Sequence, residues 1–194
     1  MIERAKQYFI LAEQYLTASK CLLKVLIENG NSNCGIGNTM EEAVDVMNKN
    51  IVNSDVRLFV PTIFDCYQAT ELFIKGLLLI KNIEIEENHV VENMIDIIKN
   101  AYGEESDIYK EFRKFYKYQI SIIQEYKKDN NISNIKEIYE SLRYPESKKN
   151  NKQYSYESLK NNGKDGIKQF KKIYEEIDTI YKITCREWKN TSKN

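Results

Sequence analysis

The sequence predicts an all-α fold, an antiparallel bundle of about five to seven helices. Three observations predict it. Only two prolines and seven glycines interrupt 194 residues, and such scarcity of breakers favours long helices. Apolar residues recur at three- and four-residue spacing through most of the chain. No stretch shows the two-residue alternation of a half-buried strand, and no internal repeat is visible. The length suits one domain over 1–194, large enough to bury a core without staples.

The elements follow in order. Ala5, Tyr8, Phe9, Ala12, Tyr15, Leu16, Leu22, Leu23 and Leu26 trace a first helix that Gly30 ends. Residues 31–39 are rich in Asn and Gly and read as a loop. Thr39 with Glu42 forms a capping-box pattern that opens a short helix over 40–52, and Asn53-Ser54-Asp55 offers a second cap. The helix over 56–82 is apolar nearly all round, as expected of a central, buried element, with Pro61 in its first turn or kinking it. Further helices are expected over 90–101, 106–128 and 133–143, the last ended by Pro145. Residues 146–166 are polar and breaker-rich, which predicts a mobile loop. A final helix over 165–189 carries Ile167, Phe170, Ile173, Tyr174, Ile177, Tyr181 and Trp188.

The formal net charge is zero, so the chain is not an obvious nucleic-acid binder. Its ends differ, however: residues 1–103 carry a net of −5 and residues 144–194 a net of +5. Such asymmetry suits a solvated charge face, self-association or a local anion site. The abundance of Asn, Lys, Ile and Tyr reads as codon bias. The fourteen tyrosines fall mostly on the apolar stripes, which favours core packing over base stacking. Cys21, Cys34, Cys66 and Cys185 are widely spaced and form no CxxC pair, so a reducing, cytoplasmic location is expected. The opening Met1-Ile2-Glu3-Arg4 lacks the charged-then-apolar layout of a signal segment, and the apolar run at 72–80 is too short to span a bilayer.

Familiar catalytic motifs are missing. There is no phosphate-binding GxxxxGK[ST] and no nucleophile elbow. Glu86-Glu87-Asn88-His89 reads Glu-x-x-His, but a di-iron bundle takes two such motifs, and His89 is the only histidine. No metal ligand set and no cofactor are therefore assigned. Polar candidates remain. Gln68, Glu71 and Lys75 make a narrow stripe on an otherwise apolar helix, so they must meet solvent, each other or a partner. Glu71 and Lys75 also stand in the favourable i, i+4 order of a helix-stabilising pair. His89 suits a capping or anchoring role at the helix beginning at 90. Arg143 closes a short helix, where a cation complements the dipole, or it contacts an anion such as phosphate.

The run Gln68-Ala69-Thr70-Glu71-Leu72-Phe73-Ile74-Lys75-Gly76-Leu77-Leu78-Leu79 resembles the central helix of HEPN domains, in which a Q-A-x-E-L-x-x-K pattern precedes small and leucine-rich positions. His89 sits where many relatives have a histidine opening the next helix. Leu142-Arg143-Tyr144-Pro145 resembles an L-R-Y-P segment found in a subset of the family. The resemblance spans roughly residues 5–188. It implies a helical bundle, commonly homodimeric, from bacterial defence, toxin–antitoxin or RNA-processing settings. Some members are ribonucleases; others are non-catalytic partners of nucleotidyltransferases, or binding modules. The ribonucleases use an arginine followed four to six residues later by histidine, the arginine steadying the scissile phosphate and the histidine moving protons. Here Arg143 is followed by Tyr-Pro-Glu-Ser-Lys-Lys, and no histidine occurs beyond His89. The expectation is a non-catalytic, cytoplasmic, homodimeric HEPN-like module binding a protein partner (a nucleotidyltransferase or an antitoxin-like protein), a nucleotide or RNA. Gln68, Glu71, Lys75, His89, Arg143 and Tyr144 are its candidate binding residues. A divergent ribonuclease using Arg143, His89 and Glu71, and a purely structural interaction module, are the alternatives.

Overall fold

The computed structural model describes residues 1–32, 34–85, 91–117, 121–147, 151–159 and 164–191, without the side chains of Val91, Glu92, Ser121 and Lys164. Among these the structure is all-α: α1 (Ile2–Glu28), α2 (Met40–Val52), α3 (Asp55–Ile80), α4 (Val91–Tyr102), α5 (Asp107–Lys117), α6 (Ser121–Asp129), α7 (Ile135–Ser141), a 3-10 turn (Glu157–Leu159) and α8 (Lys164–Thr191). The span expected as one helix over 106–128 holds α5 and α6; residues 118–120 lie outside the described residues. The isolated antiparallel bridge Glu146–Gln153 is the only strand-like pairing described. No described helix is long and apolar enough to cross a membrane.

Local chemistry sets the helix ends. α1 stops at Gly30, whose φ of +71° a side chain would disfavour. The N–H groups of Asn31 and Gly30 bond back to the carbonyls of Leu26 and Ile27, the paired bonds of a Schellman stop. Asn82 (φ +58°) ends α3 and Asn131 (φ +45°) ends α6 with the same bond pattern. Asparagine is the side chain that best tolerates this conformation. At α2 the expected capping box forms. Thr39 Oγ1 accepts from the Glu42 N–H at 3.2 Å, and the Glu42 carboxylate reaches back to the Asn38 N–H at 2.8 Å. Asn134 and Glu137 build the equivalent cap on α7, with Glu137 accepting from the Ser133 N–H. Pro61 lies well inside α3 rather than in its first turn.

The chain divides into two compact units: unit 1 comprises 1–17, 65–119 and 175–194, and unit 2 comprises 18–64 and 120–174. In unit 1, Phe73, Ile74, Leu77 and Leu78 of α3 are buried, as are Met94, Ile98, Phe112 and Ile177. The apolar circumference read from the sequence of α3 is thus a burial pattern. Tyr67, Phe115 and Tyr116 form an aromatic cluster, and the Thr70 and Tyr116 hydroxyls lie 2.7 Å apart in the core. The Tyr102 hydroxyl donates to the Leu77 carbonyl; burial, then the charge of Glu187, pushes its pKa above the ordinary tyrosine range.

Unit 2 buries Leu23, Leu26, Phe59, Ile122, Tyr126, Ile138 and Phe170. Two buried asparagines tie its irregular segments. Asn31 donates to the Asp55 carboxylate at 3.0 Å and accepts from the Asp55 N–H at 2.7 Å, fixing the start of α3. The Ser54 hydroxyl, offered by the sequence as a cap, instead donates to the Ile51 carbonyl. Asn130 donates to the carbonyls of Tyr126 and Ser155 and accepts from the Ser155 N–H. Between 151 and 159 the described chain is anchored further: Tyr154 and Leu159 are buried, and the Tyr156 hydroxyl donates to the Ser141 and Tyr144 carbonyls.

Candidate functional site

The polar stripe on α3 lies in unit 1. Lys75 Nζ and Glu71 Oε1 are 2.6 Å apart, with side chains only 22% and 16% exposed. The structure therefore closes these two groups on each other. An i, i+4 pair of this kind contributes roughly 0.3–0.5 kcal/mol. Gln68 is half-buried one turn earlier. Asp65, a further turn back, extends the same stripe and was not singled out from the sequence. Burial raises its pKa. His89 and the rest of 86–90 lie outside the described residues.

Arg143 and Tyr144 lie in unit 2. α7 ends at Ser141, and the Arg143 and Tyr144 N–H groups both bond to the Glu140 carbonyl, so the chain turns sharply there. This turn brings the Arg143 guanidinium 5.7 Å from the Phe64 ring centroid and 5.8 Å from that of Tyr139. Both distances fall within cation–π range. Arg143 remains exposed and forms no ion pair among the described residues. Its hydrogen-bonding fork is braced by aromatic faces but not occupied. A guanidinium so held matches the bidentate geometry of a phosphate or carboxylate. Tyr144 is 40% exposed beside it, and Tyr156 fixes its carbonyl. Of the candidates, the structure joins Glu71 to Lys75 and sets Arg143 beside Tyr144.

Sequence reasoning missed a pocket of about 250 Å³ in unit 1. Its walls include Phe9 and Ile10 of α1, Phe73 of α3, and Tyr181 and Trp188 of α8. Phe9 meets Trp188 edge-on at 5.2 Å. Gly76 makes this wall possible, since a Cβ there would lie 2.4 Å from the Phe9 ring. The Tyr181 hydroxyl donates to Glu13. That bond first, and burial second, holds the phenol above the ordinary tyrosine range. Thr184 also lines the pocket; it is 2% exposed, and its hydroxyl has no hydrogen-bond partner among the described residues. Phe9, Phe73, Tyr181 and Trp188 follow ordinary apolar stripes in the sequence, which periodicity cannot distinguish from a pocket wall. No group of three or more His, Cys, Asp or Glu suited to a metal occurs among the described residues.

The family model described as HEPN domain matches residues 38–180. No curated protein and no solved structure matched the chain.

Proposed function

The chain belongs to the HEPN domain family, and from that premise we propose that it is a non-catalytic module that binds RNA through its phosphate backbone. The observation that carries this reading is the exposed Arg143 guanidinium, braced on Phe64 and Tyr139 with no carboxylate of the described residues occupying it. Phosphate is the anion that such a fork grips well, and arginine contacts supply much of the affinity for nucleic-acid backbones. Adjacent Tyr144 offers a ring for an unstacked base. The sequence around it is basic, with Lys148, Lys149 and Lys152 following within ten residues. Cleavage is a different matter. Where resembling ribonucleases carry a proton-handling histidine four to six residues beyond this arginine, the chain has Ser147, Lys148 and Lys149. Arginine can steady a phosphate but does not exchange protons near neutral pH.

The reading extends to a cytoplasmic homodimer in a bacterial defence or toxin–antitoxin setting, by analogy with the family. Incubation of the protein with mixed single-stranded RNA tests the main point. RNA recovered intact but shifted in mobility is the expected outcome. Fragments that disappear in both Arg143→Ala and His89→Ala would instead make the chain a divergent ribonuclease. Light scattering at several protein concentrations tests the dimer, and a clean monomer throughout would remove that part.

A further inference from the structure

We infer that α2 is the docking face for a helix of a protein partner, an amphipathic helix with an apolar seam and a lysine- or arginine-bearing flank. The inference is independent of Arg143 and of RNA.

Burial singles out α2. It has thirteen residues and none is buried, although seven are apolar. Of the eleven large apolar side chains exposed among the described residues, six lie between Ile36 and Val56. Ile36 is 89% and Met40 81% exposed. Single exposed apolar groups are ordinary, but a contiguous patch of them marks an interaction surface. Spacing names the kind of occupant. Met40, Val44, Met47 and Ile51 follow four-, three- and four-residue steps, the seam spacing that packs one helix along another.

The two flanks of the seam differ. One is closed by the chain itself. The Asn50 amide donates to the Cys34 carbonyl at 2.7 Å. A Cβ on Gly35 would lie 2.6 Å from the Met47 backbone nitrogen, and one on Gly37 2.5 Å from that of Ala43, so the 34–38 backbone presses directly on α2. The other flank carries Glu41, with Asp45 behind it. Both are exposed, and neither is ion-paired among the described residues. α2 holds three carboxylates against one lysine, and Glu42 is committed to the Asn38 N–H. A helix laid on the seam therefore approaches over the acidic flank, where cations complement it. The same flank disfavours other occupants. Antiparallel pairing of α2 with its own copy sets Glu41 against Glu41, and an anionic lipid surface is repelled.

Two synthetic peptides of about three heptads test the proposal. Both carry leucine along the seam; one has lysine on its flanks and its twin has glutamate. Each labelled peptide is titrated with the full chain at about 0.15 M salt and read by anisotropy. Saturable binding of the lysine peptide is expected, about five- to tenfold tighter than that of its twin. Glu41→Lys with Asp45→Lys should reverse that order. Met40→Gln with Val44→Gln should weaken the lysine peptide by about tenfold or more, with helicity unchanged. No saturable binding, equal binding of the two peptides, or a preference that survives the charge reversal would overturn the proposal. Light scattering and co-sedimentation with phosphatidylcholine vesicles run alongside. Self-association or vesicle binding that is lost in the Met40→Gln, Val44→Gln protein would give the face to a second copy or to lipid, and equally overturn it.

Discussion

Unit 2 uses both ends of the amides of its two buried asparagines, while in unit 1 the equally buried Thr184 hydroxyl has no partner among the described residues. Asn31 and Asn130 each exchange donor and acceptor bonds with a segment more than twenty residues away. They stand in for backbone ladders where the chain is irregular, and so they specify the fold. Thr184 ties nothing to anything, although it costs as much to desolvate. The difference separates polar groups that hold irregular segments in place from one that ties no segment to another.

The largest expected effect comes from breaking the first kind. Asn130→Ala removes three hydrogen bonds and strands the Ser155 N–H and carbonyl. A loss of about 3 kcal/mol is expected, read from the urea midpoint at unchanged slope. A loss under about 1 kcal/mol would mean that this amide is incidental. Next comes the wall of the pocket. Gly76→Ala should gain up to about 1 kcal/mol of helix propensity. It also drives a methyl into the Phe9 ring, so a net loss of about 2 kcal/mol is expected, together with a shift in Trp188 emission. A stabilised protein would show that Phe9 does not rest on α3.

Thr184→Val sharpens the comparison in the opposite direction. Replacing an unsatisfied buried hydroxyl by a methyl of similar shape should raise stability by about 1 kcal/mol. Destabilisation would show that the hydroxyl is bonded after all. The smallest effect belongs to Glu137. The Ser133 N–H, the leading cause, holds its carboxyl below the ordinary glutamate range. A depressed carboxyl contributes stability above its unfolded pKa and loses it as pH falls through the folded value. The wild type should therefore exceed Glu137→Gln slightly in urea midpoint near neutrality. The gap should close on acidification below the ordinary glutamate range, and it stays small because solvent still reaches the half-buried group.

Much of this architecture was legible from sequence, for physical reasons. Helices are written in local spacing, so α2 emerged with its capping box, and α3 with its buried circumference. The family was legible from Gln68 to Leu79 and from Leu142 to Pro145, since those motifs are contiguous. The asparagines were not legible. Their abundance read as compositional bias and the run 31–39 as a loop, but neither reading showed that Asn82 and Asn131 hold left-handed helix stops or that Asn31 and Asn130 pin distant segments. Position in the fold, not residue type, gives them that role. The same reason hid the pocket. Phe9, Tyr181 and Trp188 obey the helical period whether the space between them is filled or empty. Arg143 was singled out for its motif, but its aromatic brace needed Phe64, nearly eighty residues earlier.

The most direct measurement is a titration of labelled single-stranded RNA with wild type and Arg143→Ala at two salt concentrations, with helical content checked by circular dichroism. Binding about tenfold weaker in Arg143→Ala, with a shallower salt dependence and unchanged helicity, is predicted, because the guanidinium is exposed and carries no ion pair among the described residues. Equal affinity in the two proteins, or no binding by the wild type at low salt, would contradict the reading of this HEPN chain as an RNA-binding module.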